Sequence, residues 1–461
     1  LGHLAALLGA FFPPVLTPAY LAALGGPVVE TLGMTFGAMT LAFAVSLPLG
    51  VAAGLRLPGT RAILGALAAL RAIPDLTLAI LCVIVLGVGP GAGLIALALY
   101  YGAAVSKIFA DILLTAPAGP IAALAATGAS RLQIAVFGLI PARLGDLTAY
   151  GAYEFESALR ASIVVGAVGG GGLGAELVGS LQAFDLKRVT TLLIVLLLLV
   201  AAFDRLAAQL RRHPRWIAAL LPIGLVGIAV LAPRLFALGH AAEVIAQMFP
   251  PQLTAPDLAR LPRLVWETVW MACAGTAGAI VAGAGAGLLG ARSLSPPWLA
   301  FVARRAMEAL RTIPEVVWGL VLITTAGVGP VAGAFALGLH STGSLARLFS
   351  DALDNAPRGP QAAIAQVGAS GVAVAAYATI PLALGPIAAH ALFRLEWNLR
   401  MATVLGLIGA GGVGQALYEA QQLFFYRQMI AWLLVTWALV AAVDAASERL
   451  RRRWGLRRVI A

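Results

Sequence analysis

A moderately polar stretch, Pro357 to Pro381, interrupts a very apolar chain, and the same stretch occurs earlier as Pro117 to Pro141. Pro117 and Pro357, Gly128 and Gly368, and Pro141 and Pro381 are each 240 residues apart. Each copy reads as a short helix, a Gly-Ala-Ser turn (Gly128-Ala129-Ser130, Gly368-Ala369-Ser370) and a second segment ending at Pro. Pro117-Ala-Gly119-Pro120 and Pro357-Arg-Gly359-Pro360 open the two copies. A repeat of this length is the mark of a duplicated and fused gene, so whatever one copy folds into, the other must fold into as well.

The match continues along both halves. Phe12-Pro13-Pro14 returns as Phe249-Pro250-Pro251, and Glu30-Thr31 with Met34 returns as Glu267-Thr268 with Met271, both 237 residues on. Arg71-Ala-Ile-Pro74-Asp75 pairs with Arg311-Thr-Ile-Pro314-Glu315, and Gly87-Val-Gly-Pro90 with Gly327-Val-Gly-Pro330. After the repeated interlude come Glu156 and Arg160, or Glu396, Asn398 and Arg400, then a glycine-rich stretch at 166–174 or 406–414. These landmarks divide the chain into a first repeat, residues 1–213, and a second, 214–461. The second carries an extra leading span at 216–238, and the first is expected to lack its equivalent.

Composition fixes the medium. With 61% hydrophobic and 11% charged residues, the chain falls far below the ~25% charged residues of soluble domains. Its apolar runs are long enough to cross a ~30 Å hydrocarbon layer. The fold class is therefore an all-α polytopic membrane protein with about 11 membrane spans, five in the first half and six in the second. An odd number of spans would invert one copy; the extra span restores the register, so the two repeats are expected to run parallel.

The net charge of +11 invites a nucleic-acid reading, but the Arg residues fall in short loops between spans, where a cytoplasmic bias is expected. Nucleic acid is excluded as a partner; membrane lipid is the one implied. Placing the interludes inside puts Arg56, Arg61, Arg131, Arg143, Arg304, Arg305, Arg358 and the C-terminal Arg451–Arg453 tail in the cytoplasm. Cys82 and Cys273 sit in apolar runs without metal-ligand spacing, and no metal site is expected.

Several residues stand out against the apolar background. Arg71/Asp75 and Arg311/Glu315 are four residues apart beside a Pro, which suits either a local ion pair at a kink or a charge lining a pathway. Glu156/Arg160 and Glu396/Arg400 have the same spacing deeper in a span. Charges there cost about 2.5–3.5 kcal/mol on insertion scales, so they pair with each other or face a cavity. His340 on an apolar span is either a satisfied buried histidine or a ligand for an anion, a choice that extends to Arg400. Gly409-Ala410-Gly411-Gly412-Val413-Gly414 matches the dinucleotide-binding spacing, but that motif requires a preceding strand, and none is expected in a helical chain. The glycines read instead as an outer loop at a pathway mouth, as a helix-terminating turn, or as both. No catalytic constellation and no phosphate-binding GxxxxGK[ST] loop occurs, so the chain is not expected to be an enzyme or to hydrolyse ATP.

The interlude resembles the cytoplasmic coupling motif of ATP-binding-cassette importer permeases, in which a Glu-Ala-Ala sequence precedes a Gly that lies thirteen residues before a Pro. Gly128 to Pro141 and Gly368 to Pro381 keep that distance, while Ala122 and Ala362 replace the acidic residue. The whole unit resembles the phosphonate importer permeases, of the type I importer fold. The resemblance rests on Arg311–Trp318, Gly327–Pro330, Leu337–Gly343 and Phe393–Gly414. The first half departs from it at Tyr100 for His340, Ser157-Ala158 for Trp397-Asn398, and Gly170 for Ala410.

The resemblance implies the membrane subunit of an ATP-driven importer in the bacterial inner membrane, with both permease units fused, a cytoplasmic C-terminus, and alternating access as its mechanism. It implies phosphonates, or phosphite or phosphate, as solutes. It implies two cytoplasmic ATPase subunits docked on the interludes, a periplasmic or lipid-anchored phosphonate-binding protein, no cofactor in this chain, and ATP and Mg in the partner ATPase. An ion-coupled secondary transporter with duplicated halves is the competing class.

Overall fold

The computed structural model describes residues 9, 11–71, 73, 75–213, 216–231 and 241–454. Among them there is no strand, and seven helices are long and apolar enough to cross a membrane: Pro18–Gly54, Pro90–Leu114, Arg131–Gly170, Leu186–Arg212, Ala255–Gly290, Gly371–Ala410 and Tyr426–Arg453. Shorter apolar helices lie at Leu76–Leu86, Ala219–Leu231 and Glu315–Thr325. Pro330–Asp354 holds in the second half the place that Pro90–Leu114 holds in the first; His340, Ser341 and Asp354, where the first half has Tyr100, Tyr101 and Leu114, make it more polar. The helical, two-repeat membrane architecture expected from the sequence is present.

The chain divides into two compact units, Leu1–Ala246 and Gln247–Ala461. Each is built on one pair of helices brought together by small residues. In the second unit, Ala255–Gly290 lies along Pro330–Asp354 with Gly275, Gly283 and Gly287 on the shared face. A Cβ at Gly275 would stand 2.8 Å from the Ala334 carbonyl oxygen, and one at Gly287 would stand 2.9 Å from Phe349 Cβ. In lipid there is little hydrophobic drive between helices, so this close backbone approach supplies the packing energy. The first unit repeats the arrangement with Gly25–Gly54 against Pro90–Leu114, where Gly37 meets Leu94 and Gly50 meets Phe109.

The unit boundary at 246/247 differs from the one drawn from the repeat at 213/214. Helix Ile217–Leu231, counted by sequence as the leading span of the second repeat, packs on Gly25–Gly54 of the first unit. Its Gly227 meets the Gly33 carbonyl and its Gly224 lies against Thr40, a second small-residue seam on the same helix. The residues of the expected 216–238 span beyond Leu231, and those before Gly9, lie outside the described ones.

The two Phe-Pro-Pro stretches are non-helical, as proline requires. Each is tied to a long helix of its own unit, Leu186–Arg212 in the first and Tyr426–Arg453 in the second. Thr190 and Thr191 hydroxyls donate to the Phe11 and Val15 carbonyls at 2.8 and 3.0 Å, and Gln252 N donates to the Arg427 carbonyl at 3.2 Å.

Candidate functional site: paired hairpins, glycine loops and a buried polar chain

Each interlude forms the helical hairpin that its sequence specifies. Pro117 and Pro357 occupy the N-cap positions of helices Ala118–Ala126 and Arg358–Gln366, neither of which buries a residue. Gly128 and Gly368 then reverse the chain at φ +79° and +84°, backbone that only glycine adopts without strain. Ser130 and Ser370 restart the helix as N-caps, accepting from Gln133 N and Ala373 N at 3.3 Å each. Pro141 and Pro381 sit inside the long helices Arg131–Gly170 and Gly371–Ala410, just after the wide π turns Ala135–Leu139 and Ala375–Thr379, where the regular helical hydrogen-bond ladder is already interrupted. The outer faces are apolar and exposed: Leu132 and Phe137 in one unit, Val367, Val372 and Tyr377 in the other. Ala122 and Ala362, which replace the acidic residue of the resembling motif, are exposed as well. Around the first turn, Leu124, Thr127, Gly128, Ala129, Gln133 and Phe137 line an open groove of about 400 Å³.

At the far end of the same long helices the glycine-rich stretches make a sharp reversal. Gly409, Gly411 and Gly412 have φ +108°, +87° and +71°, and Gly169, Gly171 and Gly172 repeat the pattern. The reversal folds the next helix back so tightly that a Cβ on Gly414 would stand 1.9 Å from the Thr403 carbonyl oxygen. The dinucleotide-binding reading is thereby excluded on structure: the glycines join two helices. Two residues of the repeat hold the reversal in place. Glu267 Oε2 accepts from Gly412 N at 3.0 Å and Thr268 Oγ1 from Val413 N at 2.9 Å. Glu30 and Thr31 do the same for Gly172 N and Leu173 N, both at 2.9 Å. These are the first backbone N–H groups of a helix, unpaired within it, and a carboxylate suits the positive end of the dipole. The Gly-Val-Gly turns add a bond each, from Gly89 N to the Gly169 carbonyl and from Gly329 N to the Gly409 carbonyl.

The charged pairs differ between units. Glu156 and Arg160 meet on one helix as their spacing allows, with Asp204 of helix Leu186–Arg212 3.5 Å from the guanidinium. Glu396 and Arg400 do not meet. Glu396 is bound by Arg451 at 2.5 Å and Arg400 by Asp444 at 2.7 Å, both on Tyr426–Arg453. The expectation of a local pair there is corrected: equal spacing permitted it, but a neighbouring helix offers each charge a closer partner. Arg311 and Glu315 are likewise separated, because Pro314 ends one helix at Thr312 and starts the next at Glu315. Arg71 ends one helix and Asp75 begins another, and their side chains lie outside the described residues.

His340, Glu315 and Asn398 all belong to buried polar clusters of the second unit. His340 Nδ1 lies 2.9 Å from the Ile313 carbonyl, which can only accept, so Nδ1 carries the hydrogen. Its Nε2 faces Glu315 Oε2 at 3.4 Å, and Trp397 Nε1 donates to Glu315 Oε1 at 3.2 Å. Asn398 donates to Thr276 at 2.9 Å and accepts from Ser341 at 2.8 Å, linking three helices. Sequence reading missed Ser341, Arg394 and Thr276, and gave Glu30 and Glu267 only as repeat landmarks. Their partners lie 50 to 145 residues away, beyond any local pattern.

Compared with known proteins, the chain matches the family profile described as "Binding-protein-dependent transport system inner membrane component" twice, over residues 46–216 and 279–455. It is 31% identical to the phosphate-import permease protein PhnE of Mycolicibacterium smegmatis, over 98% of this chain and 89% of that protein. It is 34% identical to the phosphite transport system permease protein PtxC of Stutzerimonas stutzeri, over 51% of this chain and 85% of that protein. A third relative, the putative cryptic phosphonate transport system permease protein PhnE2 of Escherichia coli, is 35% identical over 26% of this chain and 98% of its own length.

Proposed function

This chain belongs to the family of binding-protein-dependent transport system inner membrane components, and from that membership we propose that it carries phosphonates, or phosphite or phosphate, inward by alternating access as the fused permease of an ATP-driven importer. The observation that carries this reading is the duplicated hairpin, a rigid turn presenting an exposed apolar face in each unit. Two cytoplasmic ATPase subunits dock on these faces, and the C-terminus lies on the same side. ATP and Mg belong to those subunits; the permease itself hydrolyses nothing. A periplasmic or lipid-anchored binding protein delivers the solute to the side of the glycine reversals. Relatives named for phosphate, phosphite and phosphonate transport support the solute class.

Uptake of radiolabelled methylphosphonate into proteoliposomes holding this chain, its ATPase and its binding protein tests the solute class. Excess phosphite or phosphate is expected to compete and glycine betaine to have no effect. Competition by betaine, with none by phosphorus oxyanions, would remove the assignment.

A further inference from the structure

Two phenylalanines break a rule of helix ends at the same place in both units. Helices Gly172–Gln182 and Gly412–Gln422 each close with a pair of backbone bonds. Asp185 N donates to the Ser180 carbonyl and Phe184 N to that of Leu181; Phe425 N donates to Ala420 and Phe424 N to Gln421. The residue that completes such a closure has left-handed backbone and is usually glycine. Here it is Phe184 at φ +53° and Phe424 at φ +56°. A bulky residue on that backbone is strained, and burial does not offset the strain: Phe184 is 80% exposed and Phe424 71%.

A cation follows three residues later in each unit. Lys187 and Arg427 stand second in helices Leu186–Arg212 and Tyr426–Arg453, exposed, and neither forms an ion pair among the described residues. The neighbouring cations do: Arg188 pairs with Asp185 at 3.1 Å and Arg260 with Glu419 at 2.7 Å. The N-terminus of a helix carries positive partial charge and disfavours a cation. Phenylalanine and cation recur 240 residues apart, whereas Ala183, Asp185 and Arg188 around them become Leu423, Phe425 and Gln428. Two locally unfavourable choices kept in both copies, among neighbours that changed, mark a surface used by something outside the chain.

The turns face water and not lipid. Glu267 holds Gly412 N, and Arg260, seven residues earlier on the same long helix, reaches Glu419, so Gly412–Gln422 runs antiparallel to Ala255–Gly290 toward its N-terminal end. In the first unit Glu30 holds Gly172 N, and Arg188, just past the turn, lies over the Tyr20 ring at 5.2 Å. The short helices end on polar residues, Gln182 in one and Glu419, Gln421 and Gln422 in the other, and the apolar run of each following span begins only after the cation, at Val189 and Met429. Each ring therefore stands on the aqueous side of its cation, unlike an aromatic anchor seated among headgroups. An exposed aromatic ring with a cation beside it is the composition of a protein–protein hot spot.

We infer that Phe184 with Lys187, and Phe424 with Arg427, form one docking point on each unit for the solute-binding protein, each ring entering an apolar pocket that the partner rims with carboxylates. The inference rests on the importer reading proposed above, in which this end of each unit faces outward. The cations steer an acidic partner, and the rings hold it once it arrives.

The test is the affinity of the binding protein for the permease–ATPase complex in nanodiscs, measured beside the melting temperature of the complex. Phe184→Gly/Phe424→Gly removes both rings and relieves the backbone, so it should raise the melting temperature while weakening association by about tenfold or more. Lys187→Gln/Arg427→Gln should slow association and flatten its salt dependence. ATP-driven uptake by the glycine variant should recover as the binding protein is raised in concentration, which a damaged pathway would not allow. Undiminished affinity in Phe184→Gly/Phe424→Gly, with wild-type uptake retained, would overturn the docking points and leave the importer reading standing. Weaker association accompanied by a lower melting temperature would make the rings part of the fold and overturn them as well. Undiminished affinity with loss of bound anionic lipid would assign the rings to headgroups, again against the inference. A wild-type complex with no ATP-driven uptake of any solute that its binding protein holds would instead overturn the importer reading.

Discussion

Glu267 and Gly412 are 145 residues apart, and the carboxylate of one receives the backbone N–H of the other at 3.0 Å. The first unit repeats the bond between Glu30 and Gly172 at 2.9 Å. In both, a long helix near the start of the unit pins the glycine reversal near its end. Replacing Glu267 with Ala leaves a helix-terminal N–H without its acceptor, at a cost of about 1–3 kcal/mol. Glu267→Gln keeps an acceptor oxygen and should cost less. Thermal unfolding of the purified protein measures both, and equal melting temperatures for Glu267→Ala and wild type would contradict the role of the bond.

Gly368 turns the second hairpin at φ +84° with open space around it. A valine there meets no neighbour, so its whole effect comes from backbone strain in the turn, about 1–3 kcal/mol. Gly368→Val is expected to assemble in the membrane with its spans intact and to lose most ATP-driven uptake while the ATPase still turns over. Wild-type uptake by a well-folded Gly368→Val protein would contradict the hairpin's part in coupling.

Gly414 offers the opposite case, crowding in place of strain. A Cβ at this position would stand 1.9 Å from the Thr403 carbonyl oxygen, and at Gly174 2.0 Å from that of Ile163. Backbone cannot yield as a side-chain tip does, so Gly414→Ala and Gly174→Ala should each destabilise by about 1–3 kcal/mol or more. Gly359→Ala, on an exposed helix with nothing within 4 Å, should be neutral or slightly stabilising. Expression and melting temperature of the three variants separate these outcomes.

Glu396 and Arg451 form a pair whose side chains retain 11% and 13% of their exposure. Removing one partner leaves a largely buried charge, so Glu396→Gln and Arg451→Gln should each destabilise more than the double variant requires. A double-mutant cycle should return a coupling energy of about 1–3 kcal/mol, and the same cycle on Glu396 with Arg400 should return close to zero. Coupling between Glu396 and Arg400 as large as that with Arg451 would contradict the observed pairing.

The repeat, the medium and the two hairpins were legible because each rests on local or periodic signals. Pro117, Gly128 and Ser130 each specify a local backbone event: a helix start, a left-handed turn and a cap. The partners of Glu396 and Arg400 were not legible. Four-residue spacing is compatible with a pair on one helix, and nothing local reveals that Asp444 and Arg451 come closer. Sequence order places helix Ile217–Leu231 with the second repeat, whereas its Gly227 and Gly224 pack against Gly33 and Thr40 of the first unit. The hydrogen bonds of Arg394 to Ser341 and Ser344, about 50 residues earlier, are equally beyond any local pattern.

ATP, acting through partner subunits on the two hairpins, is proposed to drive this permease. The most direct measurement is solute uptake by proteoliposomes containing the chain, its ATPase and its binding protein, with ATP inside, with ATP omitted, and with an imposed proton gradient. Uptake that requires internal ATP and survives an uncoupler is the expected result. Uptake that follows the proton gradient without ATP would contradict the account and make the chain an ion-coupled transporter.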